Sequence, residues 1–597
     1  MRALPSLCFF PICALIACAD PAEGEDGGLP SDSGVNDSGA PDLGPADQGP
    51  RDVAPTDRGP DDLGPGDAGP NADAETNADA APTDGGRETC REPYTLDGVF
   101  TSGIGQINSW SVLPAAATPT TITGIVETGD YVAGTLVRLA PDGFVFSSQV
   151  SHLTRFDSIN FEHFVVDPSD GATYAVVEQQ VQGDGLALRV YNADGTLARE
   201  FTRDGPSGQD LIGASRQSNF FLIKYNQAGV VQWASRFGPN RNTDRAGQVL
   251  SVGLTPTGVR VVAEMEGGTQ LAFAPGSGTQ LTYEAPAGTV FWGEIDKADG
   301  GYVSGSFRRI DSSPNNLGAV SQAIGDAAHS AIGETAIAGV FGRPSGSATF
   351  TFGAPSGQAV TTTATVSTTY FAKLDGSGNP AFLATARILD LFASPSPRAV
   401  GLSASGVLVA GGQFPASERI AEFGGTNGPT QLAYASEESW LVAYSGSGER
   451  QWLRRIEGQS RNGISKILVT DEAAYVLGTH AAGTVLGRGD PNQRTLNVGG
   501  YVLSKYNLTT GAFEWAWVLT SEAGTGGIGG FEVWSTSAGI VVPIGFTTVR
   551  LVGPGGEDRI FDSLTNPGMT GAAIFSPGGQ LLGCQAIAAF PGRFQAF

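Results

Sequence analysis

Phe220–Phe237 reads FFLIKYNQAGVVQWASRF. Two runs of aromatic and aliphatic residues flank Asn226-Gln227-Ala228-Gly229. Apolar, β-prone runs around a turn of Asn and Gly predict a β-hairpin, because glycine supplies the positive φ that such a turn demands. The phrase returns as YFAKLDGSGNPAFLATA (Tyr370–Ala386), WLVAYSGSGERQWLRRI (Trp440–Ile456) and YVLSKYNLTTGAFEWAW (Tyr501–Trp517). Weaker copies bring the number to seven, with turn glycines at Gly143, Gly229, Gly300, Gly378, Gly448, Gly511 and Gly578. The last five steps between them run from 63 to 78 residues.

A second phrase, a small residue and then a short aliphatic run, lies upstream of each turn. It reads GATYAVV (Gly171–Val177), GVRVVA (Gly258–Ala263), AIAGVFG (Ala336–Gly342), GVLVAG (Gly406–Gly411), AYVLG (Ala474–Gly478) and GIVVPIG (Gly539–Gly545). In the first unit the corresponding run is read at GVF (Gly98–Phe100). Two hairpins at a near-constant offset make a four-stranded unit. Between the earliest clear pair stands an extra hairpin-like phrase, LALRVYNADGTLAREF (Leu186–Phe201), read as an insertion. Such repeats cannot bury their faces alone and must pack on their neighbours. Seven four-stranded units predict an all-β chain and a seven-bladed β-propeller, whose radial closure leaves only short edges. An open β-solenoid is the rival architecture. The 85 glycines and the low share of charged residues, 16%, suit either.

The phrases resemble the bacterial SBBP-type β-propeller repeat, an aliphatic strand followed by a hairpin of the form Phe-x-x-Lys-Tyr-x-x-x-Gly-x-x-x-Trp. That core stands here as Lys224, Tyr225, Gly229 and Trp233, and again as Lys505, Tyr506, Gly511 and Trp515. The fit covers roughly Gly171 to Gln585 and degenerates outside it: Arg138-Leu139 replaces Lys-Tyr in the first unit. The resemblance implies an architecture and hardly any chemistry. Trp and Tyr read as packing residues between blades.

Residues 1–17 read as a secretory leader, one Arg before an apolar stretch too short to span a membrane. Leu15-Ile16-Ala17-Cys18 resembles the bacterial lipobox, which implies cleavage before Cys18 and acylation of its sulfur. Residues 18–89 read as a disordered acidic spacer with few large apolar side chains. Six pentads within it begin with Asp: DLGPA, DQGPR, DVAPT, DRGPD, DLGPG and DAGPN, from Asp42 to Asn71. Proline removes donors, glycine weakens order and like charges repel. Most of the formal charge of −25 resides there. The propeller is placed at residues 90–597. Two cysteines remain after the leader and Cys18, namely Cys90 and Cys584. They stand near the two ends of the array, and an exported compartment permits a disulfide between them.

The search for chemistry returns little. His152, His163, His329 and His480 have no metal-binding spacing and read as surface or turn residues. No GxSxG elbow is present. GTGGIG (Gly524–Gly529) leads into strand-like sequence, so it reads as a loop and not as a phosphate cradle. DPSDG (Asp167–Gly171) and DGSGN (Asp375–Asn379) have the look of Ca²⁺ loops but lack the downstream ligands, and turn chemistry explains both. Glu294 and Asp296, near Trp292, are the one place to look for a carboxylate pair. The acidic balance disfavours nucleic acid. No catalytic residue, metal or cofactor is expected. The expectation is a lipid-anchored propeller of the cell envelope, outer-membrane attached, that binds or displays a protein or glycan. The alternatives are a polysaccharide-degrading enzyme and an outer-membrane assembly scaffold.

Overall fold

The computed structural model describes residues 88–89 and most of 107–588. Residues 1–87, 90–106, 589–597 and several connections, the longest being 203–216, lie outside the described residues. The leader, Cys18, the spacer, Cys90, the GVF run and the GTGGIG string fall there.

Described residues form strands and turns, and the opening hairpin shows why. Gln217–Tyr225 and Val231–Pro239 pair antiparallel, Lys224 opposite Trp233 and Tyr225 opposite Val231. The Asn226 N–H donates to the Val230 carbonyl at 2.9 Å, and the Gly229 N–H to the Asn226 carbonyl at 3.0 Å. Gly229 has φ +78°, a left-handed residue that closes the turn into a bulged strand. Asn226 Oδ1 accepts from the N–H groups of Ala228 and Val230, so the side chain at the head of the turn mimics one more backbone carbonyl. Gly300, Gly378, Gly448 and Gly511 take the same positive φ. In the last copy Gly579, not Gly578, does so. Gly143 opens the strand Gly143–His152 instead of turning the chain.

Each such hairpin supplies the third and fourth strands of an antiparallel sheet. The second strands are Thr173–Val181, Gly258–Met265, Thr335–Phe341, Leu408–Gln413, Ala473–His480 and Gly539–Phe546, where the aliphatic phrases predicted them. In the first sheet the second strand is Thr121–Thr128, which corrects the GVF reading. The innermost strands are Ile107–Leu113, Ser158–Val166, Gln248–Leu254, Gln322–His329, Ser396–Leu402, Gly463–Val469 and Trp534–Thr536. Among the described residues, seven sheets of four or more strands follow one another along the chain. Ser158–Val166 packs on Gln248–Leu254, that strand on Gln322–His329, then Ser396–Leu402, then Gly463–Val469. Sheets stacked face to face in this way are the blades of a β-propeller.

Neighbouring sheets bury one another, so their central strands are apolar on both faces. Ser439–Tyr444 is buried along its whole length. Fourth strands carry an aromatic residue that reaches the turn of the next sheet. The Trp233 indole donates to the Lys297 carbonyl at 3.1 Å, Trp452 to Leu508 at 2.7 Å and Trp515 to Pro577 at 3.2 Å. A Cβ on the turn glycine would strike that ring, at 2.8 Å for Gly300 on Trp233 and 2.6 Å for Gly511 on Trp452. Phe382 plays the same part under Gly448. Glycine at the turn is thus needed twice, for its φ and for the ring beneath it.

The sheets do not stop at four strands. The phrase at Leu186–Phe201 forms the hairpin Ala187–Tyr191 and Leu197–Thr202, which joins the outer strand of the first sheet, Val150 opposite Val190. It lies in sequence between the second and third strands of the second sheet, so it reaches backwards. It is no isolated insertion. Gln270–Phe273 with Leu281–Glu284 extends the second sheet. Ala348–Ala354 with Val360–Ala364 extends the third. Arg419–Phe423 with Thr430–Tyr434 extends the fourth. Thr548–Val552 with Asp558–Asp562 extends the sixth. The fifth sheet receives a shorter hairpin, Val485–Leu486 with Arg494–Thr495, through a single bridge between Glu457 and Val485. Every unit from the second to the seventh thereby covers the outer edge of the sheet before it. The seventh sheet receives no such hairpin from a described residue. Glu88–Thr89 pairs in parallel with Phe561–Asp562 and adds a last strand to the sixth sheet.

Candidate functional site

The innermost strands share an irregularity at one height. The ladder to the second strand skips a residue between Phe161 and His163, Val249 and Ser251, Ile324 and Asp326, Pro397 and Ala399, and Ile464 and Lys466. A bulge kinks a strand and re-aims the side chains beside it. His163, Ser251, Asp326, Ala399 and Lys466 therefore hold equivalent positions in five successive sheets. Three of them are ionisable.

These three reach across sheet boundaries. Lys466 Nζ lies 3.6 Å from Asp326 Oδ1, which links the sixth sheet to the fourth past the inner edge of the fifth. The other Asp326 oxygen accepts the Val400 N–H of the fifth sheet at 3.0 Å. His163 Nε2 lies 3.1 Å from the Val249 carbonyl, so that nitrogen carries the proton and donates. The bonds to the Val400 N–H and the Val249 carbonyl satisfy backbone groups that the inner edge of a sheet would leave open. The space between the strands is narrow. A Cβ on Gly325, the bulged residue of the fourth sheet, would lie 2.5 Å from the Pro397 carbonyl oxygen of the fifth. Desolvation, with Lys466 second, pushes His163 down to about 4, so it is neutral near pH 7. Burial raises the Asp326 carboxyl and the Lys466 ammonium opposes that rise. On the fifth sheet the bulged residue is Arg398, which is exposed.

His329 and His480 correct the surface or turn reading. His329 ends an innermost strand, its Nδ1 3.0 Å from Thr335 Oγ1, and desolvation pushes it down to about 3. His480 ends the second strand of the sixth sheet and is buried. The side chain of His152 lies outside the described residues.

Glu294 and Asp296 do not form a working carboxylate pair. Glu294 is buried and ion-paired with the buried Arg260, Oε1 to Nη2 at 2.7 Å. Its second oxygen accepts from the hydroxyls of Thr255 and Thr257. Arg260 Nη1 also donates to the carbonyls of Gly333 and Asp375, and Nη2 to that of Gly376, so the pair fastens the third sheet to the turns of the fourth. Asp296 Oδ1 accepts the Ala298 N–H within its own turn. The two loops that look like Ca²⁺ sites are turns, as expected from their sequence. Asp375 Oδ1 accepts the N–H groups of Ser377 and Asn379, and Asp167 Oδ1 accepts the Ser169 backbone N–H and its side-chain O–H. Among the described residues no three His, Cys, Asp or Glu side chains are grouped to hold a metal.

The residues beside these bulges escaped the sequence reading because a bulge leaves no mark on composition. One signal was available. Aligning the runs before each second strand places a charge inside AIGDAAH (Ala323–His329) and inside GISKILV (Gly463–Val469) at the same offset.

No family model matches the chain, and no curated protein matches it. Solved structures that are similar in part include three propeller-type proteins. BamB from Moraxella catarrhalis is 11% identical and covers 72% of this chain and 98% of its own, with a TM-score of 0.30. The intramolecular trans-sialidase from Ruminococcus gnavus is 9% identical over 65% of this chain and 92% of its own, TM-score 0.29. Drosophila Semaphorin 1b, extracellular domains 1–2, is 8% identical over 64% of this chain and 86% of its own, TM-score 0.22. Against them stands an all-β chain whose propeller fold rests on its own sheets.

Proposed function

We propose that this chain is a lipid-anchored, non-enzymatic module of the bacterial cell envelope that displays a β-propeller for binding. The leader, the lipidated Cys18 and the Asp-x-Gly-Pro spacer form a tether. The propeller at residues 90–597 is the displayed body, held closed by a Cys90–Cys584 disulfide. Its partner is a protein or glycan met at the central face or the connecting loops. Acyl chains hold firmly, since each buried methylene contributes about 0.8 kcal/mol. Proline-rich segments extend by about 3.1 Å per residue, which gives the tether reach.

The observation that carries this reading is the strand Glu88–Thr89. The end of the acidic segment is laid against Phe561–Asp562, at the outer edge of the sixth sheet. A pull on the tether therefore loads a hydrogen-bonded edge and not a loose loop. Interlocked hairpins behind that edge make a rigid scaffold, on which connecting loops serve as contact surface.

Protease shaving of intact cells, followed by mass spectrometry, tests the proposal. A single compact fragment beginning near Cys90 is expected in the supernatant. Protection until the envelope is lysed would remove the surface-display role and favour an assembly scaffold facing the periplasm.

A further inference from the structure

Each unit from the second to the seventh places a hairpin between its second and third strands, and that hairpin covers the sheet before it. The first unit has no room for one. Thr121–Thr128 turns into Tyr131–Ala140 through Gly129-Asp130 alone, with Thr128 opposite Tyr131. Among the described residues, Leu581–Ala588 is therefore left as the bare outer strand of the seventh sheet. Such a strand offers open N–H and C=O groups to any chain that can pair with it. The covers also share a clip. An Asn or Asp of the hairpin turn accepts an N–H at the foot of its own unit's fourth strand: Asn192 from Val231 at 2.9 Å, Asn427 from Arg450 at 3.1 Å and Asp490 from Phe513 at 2.8 Å. Those three donors stand opposite Tyr225, Tyr444 and Tyr506, just past a bulge. The first unit repeats the bulge, with Phe144 opposite Leu139.

We propose that the bare edge of the seventh sheet is the docking site of residues 94–101, a hairpin that pairs with Leu581–Ala588 and clips onto the Phe144 N–H through Asp97. The segment lies outside the described residues and reads Tyr94-Thr95-Leu96-Asp97-Gly98-Val99-Phe100-Thr101. Asp-Gly between two β-prone runs is a strong local signal for a tight hairpin. Arms of three residues are enough, because the cover of the fifth sheet has arms of two, Val485–Leu486 and Arg494–Thr495. Asp490 shows that a carboxylate serves in the clip as an amide does. Described strands fix both ends of the segment. Glu88–Thr89 runs parallel to Asp558–Asp562, hence in the direction of the fourth strands, and leaves the sixth sheet at the end where those strands finish. Ile107–Leu113 is the innermost strand of the first sheet and starts at that same end. Residues 90–106 thus leave from and return to one end of the sheets, as every cover does, and a hairpin makes that journey. The seventh sheet is within reach, since the sixth packs on it, the Trp517 indole donating to the Gly579 carbonyl at 2.7 Å. A second copy of the chain would have no such anchors.

The test is hydrogen exchange on full-length protein in detergent, resolved to single amides by fragmentation in the mass spectrometer. Covers pair with the end of the strand they meet, as at Val150–His152, Phe237–Pro239 and Ala386–Ile388. Protection is therefore expected at Ala586–Ala588 for the amides that point away from Met569–Phe575, and at Phe144. Leu96→Pro removes a donor and a strand conformation from the first arm. It is expected to speed exchange at Ala586–Ala588 by about tenfold or more, while Met569–Phe575 keeps its protection. Ser102→Pro, in the same segment but past the hairpin, is expected to change neither. Asp97→Ala is expected to speed the Phe144 amide, and Asp97→Asn to keep it slow. Fast outward amides at Ala586–Ala588 in the unaltered protein, or protection that survives Leu96→Pro, would overturn the cover. Protection that appears only as protein concentration rises, with a dimer in sedimentation, would give the edge to a second copy and overturn it too. An unchanged Phe144 amide in Asp97→Ala would overturn the clip. Non-reducing digestion reads the Cys90–Cys584 bond and shaving reads display, so failure here leaves both untouched.

Discussion

His480 is a costly residue to keep. Its side chain is 2% exposed and neither ring nitrogen finds a hydrogen-bond partner. Desolvation pushes it from 6.5 down to about 4. Between those two values the unfolded chain takes up a proton that the folded chain refuses. Stability from this group is therefore complete above about pH 6.5, falls as the pH drops towards 4, and levels off below. The full loss is on the order of 3 kcal/mol. His480→Leu is expected to be at least as stable at pH 7 and to lose less on acidification. Urea midpoints at pH 7 and pH 4.5 measure this, and identical pH dependence in the two proteins would remove His480 from the acid limb. The residue scale also sets the limit of the sequence reading. Gly229, Gly300, Gly378, Gly448 and Gly511 were legible because a turn of that geometry admits little else. Arg260 and Glu294 were not, because an ion pair between a second and a third strand depends on which strands meet. A charged pair in sequence looks the same whether it is buried or solvated.

At the scale of elements, hairpins were legible and their destinations were not. Local pattern predicts a strand, but the edge it joins is settled by distant partners. The hairpin at Val485–Thr495 is the weakest of the set. Where its counterparts share a ladder with the neighbouring sheet, it has one bridge and a group of charges. Glu457 takes Arg455 on one oxygen and Arg488, at 2.5 Å, on the other. Asp490 accepts the Phe513 N–H at 2.8 Å and faces Arg454 at 3.7 Å. Side-chain pairs here take the place of backbone bonds, and the Glu457 side chain is 11% exposed. Glu457→Gln is expected to free this hairpin while leaving the sheets folded, at a loss of about 1–3 kcal/mol for the buried contacts. Hydrogen exchange should rise at 485–495 and stay unchanged at Leu408–Gln413. Unaltered exchange at 485–495 would show that packing of Leu486 and Leu496, both buried, holds the hairpin by itself.

At the scale of the whole molecule, the repeat gave the architecture and left its ends open. Glu88–Thr89 lies on the sixth sheet and Cys584 lies in the outer strand of the seventh, Leu581–Ala588. Cys90 follows Thr89 directly. A disulfide between Cys90 and Cys584 would close a loop of nearly the whole array, worth about 4–5 kcal/mol in the chain-entropy model. The expected result is one cross-linked peptide on non-reducing digestion and a lower melting temperature in Cys584→Ser. Alkylation of both thiols without reductant would dismiss the bond.

The backward-reaching hairpins bear on how the gene can change. A sequence repeat contains four strands of one sheet and the edge cover of the sheet before it. Excision of a whole repeat by recombination removes a sheet together with the cover of its predecessor. The next repeat then arrives with a cover of its own, which falls on that same predecessor. Every junction is repaired by the deletion that created it, and duplication works in the same way. An array wired like this can lose or gain members in a single genetic event without exposing a raw edge in its middle. Among the described residues the seventh sheet receives no cover, and it stands outside that protection.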